Sequence, residues 1–193
     1  MAKKPRVRTE LKKQARKLFY MQGYPSTGIS QIIDAAGTNK ATFYYNYKSK
    51  EQLGQEYLTE YSAYLLTRLV RMMKHSDTPG EFVHKWIRLV KKDISLHEAR
   101  FNGCPIGNFI SQVDVRDDAF APTLGELVTE WEDRLADFLG EMQRQSALAA
   151  TIETRAAAAR MLAIYHGSML MWKATRDMKY IELAEDSMLA CLK

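Results

Sequence analysis

The sequence predicts an all-α protein of about nine helices, because apolar residues recur at helical spacing along nearly the whole chain. Alternating apolar and polar runs, and hairpin dipeptides placed between such runs, are missing, so no sheet is expected. The chain has 193 residues, of which 46% are hydrophobic, and this is enough to fill a core. We therefore expect a folded helical protein rather than a disordered one.

The first fifty residues show the pattern of three short helices. The first is predicted over residues 8–22, with Gly23 as its C-terminal cap. Thr27 is suited to N-cap a second helix, and Gly37 permits a tight turn into a third helix over Asn39–Tyr45. Two short helices joined at a glycine turn are typical of a helix-turn-helix, the first half of the predicted architecture.

Positive charge is concentrated in the same part of the chain. Residues 1–50 contain 11 Lys and Arg against two acidic residues, whereas the remainder contains 17 basic and 21 acidic residues. The net charge of +5 therefore comes entirely from the first quarter. A basic segment on a mildly acidic body indicates a phosphate-binding module. The alternative is a solvated basic face with no partner.

Six further helices are predicted after residue 50. Five of them span about residues 49–75, 81–100, 124–146, 152–176 and 181–191, and a shorter one, the sixth helix, begins at Pro105. The eighth helix has no Asp, Glu, Lys or Arg between Arg160 and Lys173, so apolar side chains occupy every face and one protomer is not expected to cover them all. We therefore expect two domains, a basic one over residues 1–50 and a larger helical one over residues 51–193.

Other classes of protein fit poorly. The chain has no P-loop, dinucleotide glycine fingerprint, HExxH or Gly-x-Ser-x-Gly motif, and its four histidines are scattered, so no enzyme is predicted. Cys104 and Cys191 are too few for a disulfide framework or a zinc site, and no cofactor or metal is expected. No long apolar stretch or signal peptide is recognised, which predicts a cytoplasmic protein without a membrane partner.

Residues 27–53 closely resemble the DNA-binding signature of the TetR family of transcriptional regulators. They read Thr-Gly-Ile-Ser-Gln-Ile-Ile-Asp-Ala-Ala-Gly-Thr-Asn-Lys-Ala-Thr-Phe-Tyr-Tyr-Asn-Tyr-Lys-Ser-Lys-Glu-Gln-Leu. The resemblance begins near Leu18 and covers about a quarter of the chain. It implies a homodimer joined through the two C-terminal long helices, a near-palindromic operator in double-stranded DNA, and recognition helices roughly 34 Å apart. It also implies a small-molecule effector, and repression rather than activation.

The resemblance assigns DNA contacts to residues in and around the third helix. Lys40 and Thr42 would reach base edges, and Thr27 would present a helix N-terminus to a phosphate. Tyr44, Asn46 and Lys50 match positions that contact the DNA backbone, although a solvated lysine is the alternative for Lys50. The predicted DNA-binding residues are Thr27, Thr38, Asn39, Lys40, Thr42, Tyr44, Asn46 and Lys50. Phe43 and Tyr47 are expected in the core. The family often has His or Tyr at Asn46 and Val-Ser at Thr38-Asn39, which leaves base preference open.

The effector pocket of such regulators lies among the fourth to eighth helices. Apolar residues there, with a few polar groups among them, are the candidates. They are Trp86, Phe101, Cys104, Phe109, Trp131, Met161, Tyr165, His166 and Met169. Packing in the core is the alternative for most of them. For His166 the alternatives are a pocket wall and a hydrogen-bonded position at the dimer face.

Residues 103–108, Gly-Cys-Pro-Ile-Gly-Asn, resemble a turn found in TetR-type sensors of electrophiles and small unsaturated carbonyl compounds. Pro105 opens a helix whose terminus would stabilise a Cys104 thiolate, and Lys173 would lower the thiol pKa further if it were close. The alternative is an inert, packed cysteine. The sequence thus predicts a repressor released from its operator by a small apolar or electrophilic effector. The alternative function is a sequence-indifferent DNA-binding protein without a switch.

Overall fold

The protein is described by a computed structural model over residues 4–97, 100–114 and 119–193. These residues form nine helices and no strand, which confirms the predicted all-α class. The helices are α1 (Lys4–Gln22), α2 (Ile29–Ala35), α3 (Lys40–Asn46), α4 (Lys50–Lys74), α5 (Pro79–Leu96), α6 (Pro105–Ile110), α7 (Ala121–Arg144), α8 (Thr154–Thr175) and α9 (Lys179–Ala190). Within these ranges no helix has the length and apolarity needed to cross a lipid bilayer.

The chain divides into two compact units. The first unit combines Met1–Ser62 with Pro105–Gly125, and the second combines Ala63–Cys104 with Glu126–Lys193. Helix α6 therefore belongs with the N-terminal helices, and α4 contributes residues to both units.

The core of the first unit supports helices that are too short to persist alone. Helices α2 and α3 have seven residues each, and isolated helices of that length are unstable in water. The apolar side chains buried in this core come from α1, α2, α3 with its C-cap, and α4. They include Leu11, Ala15, Phe19, Ile32, Ile33, Phe43, Tyr47, Leu53 and Tyr57. The prediction that Phe43 and Tyr47 belong to the core is confirmed.

The turns of the first unit agree with the sequence except at one cap. Gly23 and Gly37 have positive φ angles of 93° and 60°, which confirms that both turns need glycine. The N-cap of α2 is Gly28, so the prediction that Thr27 caps this helix is wrong. The buried Thr27 hydroxyl instead donates to the Gly23 carbonyl over 2.7 Å, and the Gly28 amide is satisfied by the side chain of Gln31 over 2.8 Å.

An aromatic cluster fixes the start of α4 within the first unit. The Tyr24 ring lies 5.1 Å from Phe19, 4.9 Å from Phe109 and 5.0 Å from Phe120, measured between ring centroids. Gly54 faces this cluster, and a β-carbon added there would lie 2.9 Å from Tyr24 and 3.1 Å from Phe120. The absence of a side chain at Gly54 therefore lets the backbone of α4 approach the rings.

The second unit is organised around aromatic side chains from three helices. Phe82 of α5 lies 5.0 Å from Phe138 of α7, and Trp86 of α5 lies 4.9 Å from Tyr165 of α8. Helix α9 packs against α5 and α8, and Glu185 accepts hydrogen bonds from α5 side chains. Burial of these rings against one another holds α5, α7 and α8 together.

We predict that Gly54→Ala destabilises the protein by about 1–3 kcal/mol, because the added methyl group overpacks the Tyr24 and Phe120 rings. Gly125→Ala is the matched control, since Gly125 is also helical and a β-carbon there meets nothing within 4 Å. This control should stabilise α7 by roughly 0.5–1 kcal/mol. Urea unfolding of the two variants measures both effects, and equal stabilities would contradict the account of Gly54.

Candidate DNA-binding surface and effector site

Helix α3 is held by its buried face and presents the other face to solvent. Phe43 is fully buried, whereas Lys40, Ala41, Tyr44 and Tyr45 are exposed. Tyr45 is the most open of the large side chains here, at 67% exposure, and the sequence reasoning did not select it. The signal was present, because a residue two positions after the buried Phe43 lies about 200° around a helix from it. Helix α3 thus presents a solvent-exposed face that carries two large aromatic side chains.

The polar residues of α3 mostly satisfy the helix itself. Asn39 is the N-cap, and its side-chain oxygen accepts the Thr42 amide over 2.9 Å. The Asn46 side chain donates to the Thr42 carbonyl over 2.8 Å. Thr38 and Thr42 are half-buried. Among the predicted DNA-binding residues, Lys40 and Tyr44 are therefore the two on α3 whose side chains point most freely into solvent.

Thr27 and Lys50 are engaged inside the first unit. Thr27 is almost fully buried, and its amide donates to the Tyr24 carbonyl over 3.2 Å. The Lys50 ammonium donates to the carbonyls of Tyr24 and Thr27, both over 3.2 Å, and lies 4.2 Å from the centre of the Tyr24 ring. These contacts tie the turn between α1 and α2 to the start of α4.

The basic charge of α1 is largely paired within the unit. Arg8 lies 2.9 Å from Glu56, and Lys12 lies 2.5 Å from Glu60, both carboxylates being on α4. Arg16 approaches Glu60 at 3.9 Å. The excess of positive charge counted over residues 1–50 therefore overstates the charge available to phosphates, because its counter-charges lie just beyond residue 50.

A few exposed lysines remain available for phosphates. Lys17, Lys40 and Lys48 have no carboxylate partner among the described residues, and all three are exposed. Lys40 lies in α3 and Lys48 lies directly after it. Free positive charge in this unit is thus placed next to the exposed helix, as DNA binding requires.

Three of the nine predicted effector residues come together at one cavity of the second unit. Trp86, Trp131 and Tyr165 line a space of about 40 Å³. Met161 and Met169 are buried in the core, as the packing alternative states. Phe101 packs against Trp172 at 5.4 Å between ring centres. Phe109 belongs to the aromatic cluster of the first unit, so it is not part of this cavity.

Cys104 and His166 form a pair that sequence reasoning named singly but did not connect. Both lie in the second unit, and Cys104 is buried. Burial lowers the pKa of His166, but a hydrogen bond and an electrostatic interaction with Cys104 outweigh burial, so the pKa is raised overall. The Nδ1 atom of His166 is buried and has no hydrogen-bond partner in the described part of the chain. Burial, with a smaller contribution from Arg176, lowers the pKa of Lys173.

The described residues offer no site for a metal ion, since no three His, Cys, Asp or Glu side chains come together there. The described residues thus offer an exposed basic and aromatic helix face in the first unit. The second unit offers a small, mostly apolar cavity and, apart from its lining, a cysteine–histidine pair.

Comparison with known proteins gives matches in both the N-terminal and the C-terminal part of the chain. A sequence profile described as "Bacterial regulatory proteins, tetR family" matches residues 12–57, and one described as "Tetracyclin repressor-like, C-terminal domain" matches residues 81–188. The "Uncharacterized HTH-type transcriptional regulator in lacX 3'region" of Lactococcus lactis subsp. lactis is 25% identical over 168 residues, which are 86% of this chain and 82% of that protein. The HTH-type transcriptional repressor DhaR of Mycobacterium sp. strain GP1 is 24% identical over 177 residues, which are 92% of this chain and 87% of DhaR.

A solved structure shares the fold along almost the full length. The crystal structure of regulatory protein TetR from Rhodobacter sphaeroides superposes with a TM-score of 0.84 at 20% identity, covering 96% of this chain and 98% of that one. The second profile alone spans more than half of the chain, and the first spans α2 and α3 with their supporting helices. This chain belongs to the TetR family of helix-turn-helix transcriptional regulators, which bind DNA and dimerise.

Proposed function

We propose that the protein is a ligand-responsive repressor whose dimer places two copies of α3 in successive major grooves of a near-palindromic operator. The observation that carries this proposal is the exposed face of α3, which buried Phe43 holds and Asn39 caps. Lys40 on this helix and Lys48 just after it have no carboxylate partner among the described residues. A helix fits the major groove when one face is free and flanking groups can hold phosphates.

Each exposed group has a distinct role in the proposed complex. Lys40 donates to guanine acceptors, and Thr42 offers a hydroxyl or a methyl group to a neighbouring base. Tyr44 and Tyr45 contact the sugar-phosphate backbone through their hydroxyl groups, and Lys48 neutralises a phosphate. The other predicted DNA-binding residues of this segment stay close to the DNA because they lie at the ends of α3. They are Thr38, which precedes the N-cap, Asn39, which is the N-cap, and Asn46, the last residue of the helix.

The dimer is proposed to form through α8 and α9. Leu170 on α8 is 45% exposed, its neighbour Met171 is also exposed, and Leu183 on α9 is 54% exposed. Large apolar side chains on two adjacent helices of one unit favour a self-complementary interface. In a symmetric dimer the partner subunit would cover these side chains. This explains why the uncharged middle of α8 exposes Leu170 and Met171 to water in a single protomer.

The effector is proposed to act in the second unit, and two chemistries are supported. The cavity lined by Trp86, Trp131 and Tyr165 favours reversible capture of an apolar group. The Cys104–His166 contact favours covalent capture of an unsaturated carbonyl compound. In that reaction the thiol proton moves to His166, the sulfur bonds to the β-carbon as the carbon–carbon π bond breaks, and His166 returns the proton to the α-carbon.

Release of DNA requires the effector to prefer one form of the dimer. Almost complete release needs a difference in binding free energy on the order of 5 kcal/mol between the two forms. Helix α4 contributes residues to both units, so it is the proposed lever between effector and α3.

We expect Lys40→Ala to weaken binding to an operator selected from random duplexes by about 1–3 kcal/mol and to relax specificity at one base position. Lys48→Ala should weaken binding to all sequences and lower the salt dependence by about one released counterion. Lys74→Ala, an exposed lysine of the second unit, is the control and should change neither quantity. Titrations by fluorescence anisotropy at several salt concentrations measure these effects. A specific affinity less than about a thousandfold above the non-specific one would favour a sequence-indifferent DNA-binding protein.

We expect Leu183→Arg to give a monomer that loses operator binding, because a charged side chain would be buried at the α9 interface. Val128→Arg is the control, since Val128 is a comparably exposed apolar residue on α7. Sedimentation velocity gives the oligomeric state of each variant. A dimeric Leu183→Arg protein together with a monomeric Val128→Arg protein would place the interface on α7 instead.

We expect Cys104→Ser to abolish release of operator DNA by N-ethylmaleimide, while Cys191→Ser retains it, because Cys104 has His166 as a proton acceptor and burial raises the pKa of Cys191. His166→Ala should slow alkylation of Cys104 several-fold. Gel shifts report release, and mass spectrometry locates the adduct. Retained release by Cys104→Ser would leave reversible apolar capture as the only effector chemistry.

A further inference from the structure

A basic groove lies between the end of α4 and the middle of α5, wholly within the second unit. Its volume is about 510 Å³, which lies within the usual range for small-molecule sites. The basic residues that line it are Arg68, Arg71, His75, Lys85, Arg88 and Lys92. None of these basic residues is among the effector residues predicted from the sequence, because those candidates are mostly apolar side chains.

The groove is basic although the part of the chain beyond residue 50 has more acidic than basic residues. Beyond residue 50 the chain has 17 basic and 21 acidic residues. Two cations of the groove have carboxylate partners: Arg68 donates to both oxygens of Asp93, at 2.9 and 3.2 Å, and Lys85 lies 2.8 Å from Glu81.

The other groove cations lack such partners. In the part of the chain that the structure describes, Arg71, Arg88 and Lys92 have no carboxylate partner. Charges of one sign gathered along a cleft produce a positive potential that attracts anions. Because these side chains also repel one another, a bound anion would remove an unfavourable interaction that the empty groove carries.

The groove adjoins a smaller, mostly apolar inner cavity, because the two share part of their lining. Arg68, Met72 and Leu89 line both spaces, and the inner one is also lined by Trp86, Trp131 and Tyr165. Asp93 lines the inner cavity as well, so the Arg68–Asp93 ion pair stands where the two spaces meet. A basic groove and a mostly apolar cavity therefore adjoin at this ion pair.

We infer that the groove and the inner cavity form one site for an amphipathic anion, with its carboxylate or phosphate held by Arg71, Arg88 and Lys92 and its apolar chain directed towards Trp86, Trp131 and Tyr165. This inference rests on the proposed function, because it names the chemical class of the effector. Charge-assisted bonds select the head group, and arginine suits both carboxylate and phosphate. Each methylene buried beyond the head group raises the affinity about fourfold.

The shape of the site argues against a free inorganic anion as its ligand. Met72 and Leu89 give the groove an apolar floor that inorganic phosphate would leave uncovered. The inner cavity of about 40 Å³ accepts the tip of a chain, and a longer chain must separate Arg68 from Asp93. The ion pair thus opposes entry until an anion offers Arg68 a replacement partner.

Isothermal titration calorimetry without DNA tests the inference, with octanoate, octyl phosphate, octanol and inorganic phosphate as probes. At least one of the two octyl anions should bind at least tenfold more tightly than octanol and than inorganic phosphate, and the tighter one identifies the head group. Arg88→Ala should weaken that binding about threefold to tenfold. Arg134→Ala, which removes an exposed arginine of α7 in the same unit, should leave it unchanged. Circular dichroism establishes that both variants are folded.

Several outcomes would overturn the inference. If octanol bound as tightly as the octyl anions, the proposed head-group site would be refuted. If inorganic phosphate bound as tightly as octyl phosphate, the proposed apolar part of the site would be refuted. Absence of binding, or an equal loss in Arg88→Ala and Arg134→Ala, would overturn it entirely. Tight anion binding that leaves operator affinity unchanged would keep the site and refute its role as effector. Absence of specific operator binding in the unliganded protein would instead refute the proposed function.

Asp93→Asn is expected to change the affinity for the octyl anion in the opposite direction to Arg88→Ala. The substitution frees Arg68 for the ligand, so the affinity for the preferred octyl anion should rise several-fold and its dependence on salt should steepen. An unchanged affinity would show that Arg68 takes no part in head-group binding.

Discussion

The burial of Phe43 and Tyr47 is the constraint on which the DNA-binding unit depends. A seven-residue helix cannot hold its shape in water, because the free-energy cost of nucleation exceeds the gain from so few hydrogen bonds. Helix α3 persists because Phe43 anchors it and Tyr47, at its C-cap, is buried in turn. The Asn39 cap then satisfies an amide that would otherwise be unpaired. A rigid recognition surface is thus made by tertiary packing rather than by helix propensity.

Charge is used in opposite ways in the two units. On α1, Arg8 and Lys12 are paired with carboxylates of α4, which joins the helix to the rest of the first unit and leaves few cations for DNA. Between α4 and α5, Arg71, Arg88 and Lys92 have no carboxylate partner in the described residues, although the surrounding sequence is acidic on balance. Since unpaired like charges in a cleft carry an electrostatic cost, their arrangement favours binding an anion rather than folding alone.

The parts of the fold that follow from local rules could be predicted from the sequence. Helical periodicity gave the number of helices and the place of α3, and the positive φ of Gly37 confirmed the glycine turn. The cap of α2 was assigned one residue early, because a threonine hydroxyl competes equally well for a local carbonyl, here that of Gly23.

Features that join distant segments could not be predicted in the same way. The packing of Phe109 with Tyr24 joins residues 85 positions apart, and no pattern along the chain predicts this contact. The same holds for the Cys104–His166 contact and for the Arg68–Asp93 ion pair. Composition likewise counted the basic charge of α1 towards a phosphate-binding module, whereas Glu56 and Glu60 take up much of it. The charge that is available can be identified only once the helices are packed.

The Arg68–Asp93 pair links ligand entry to the geometry of α4. Burial alone would lower the pKa of Arg68, but the hydrogen bond to Asp93 and the charge of that carboxylate raise it overall, so Arg68 stays charged beside Asp93. Arg68 and Arg71 belong to α4, whereas Arg88, Lys92 and Asp93 belong to α5. A head group held between Arg71 and Arg88 therefore connects the two helices and sets their spacing. Because a ligand shifts an equilibrium only by its different affinity for the two states, such a ligand favours the form of the dimer in which α4 and α5 have that spacing.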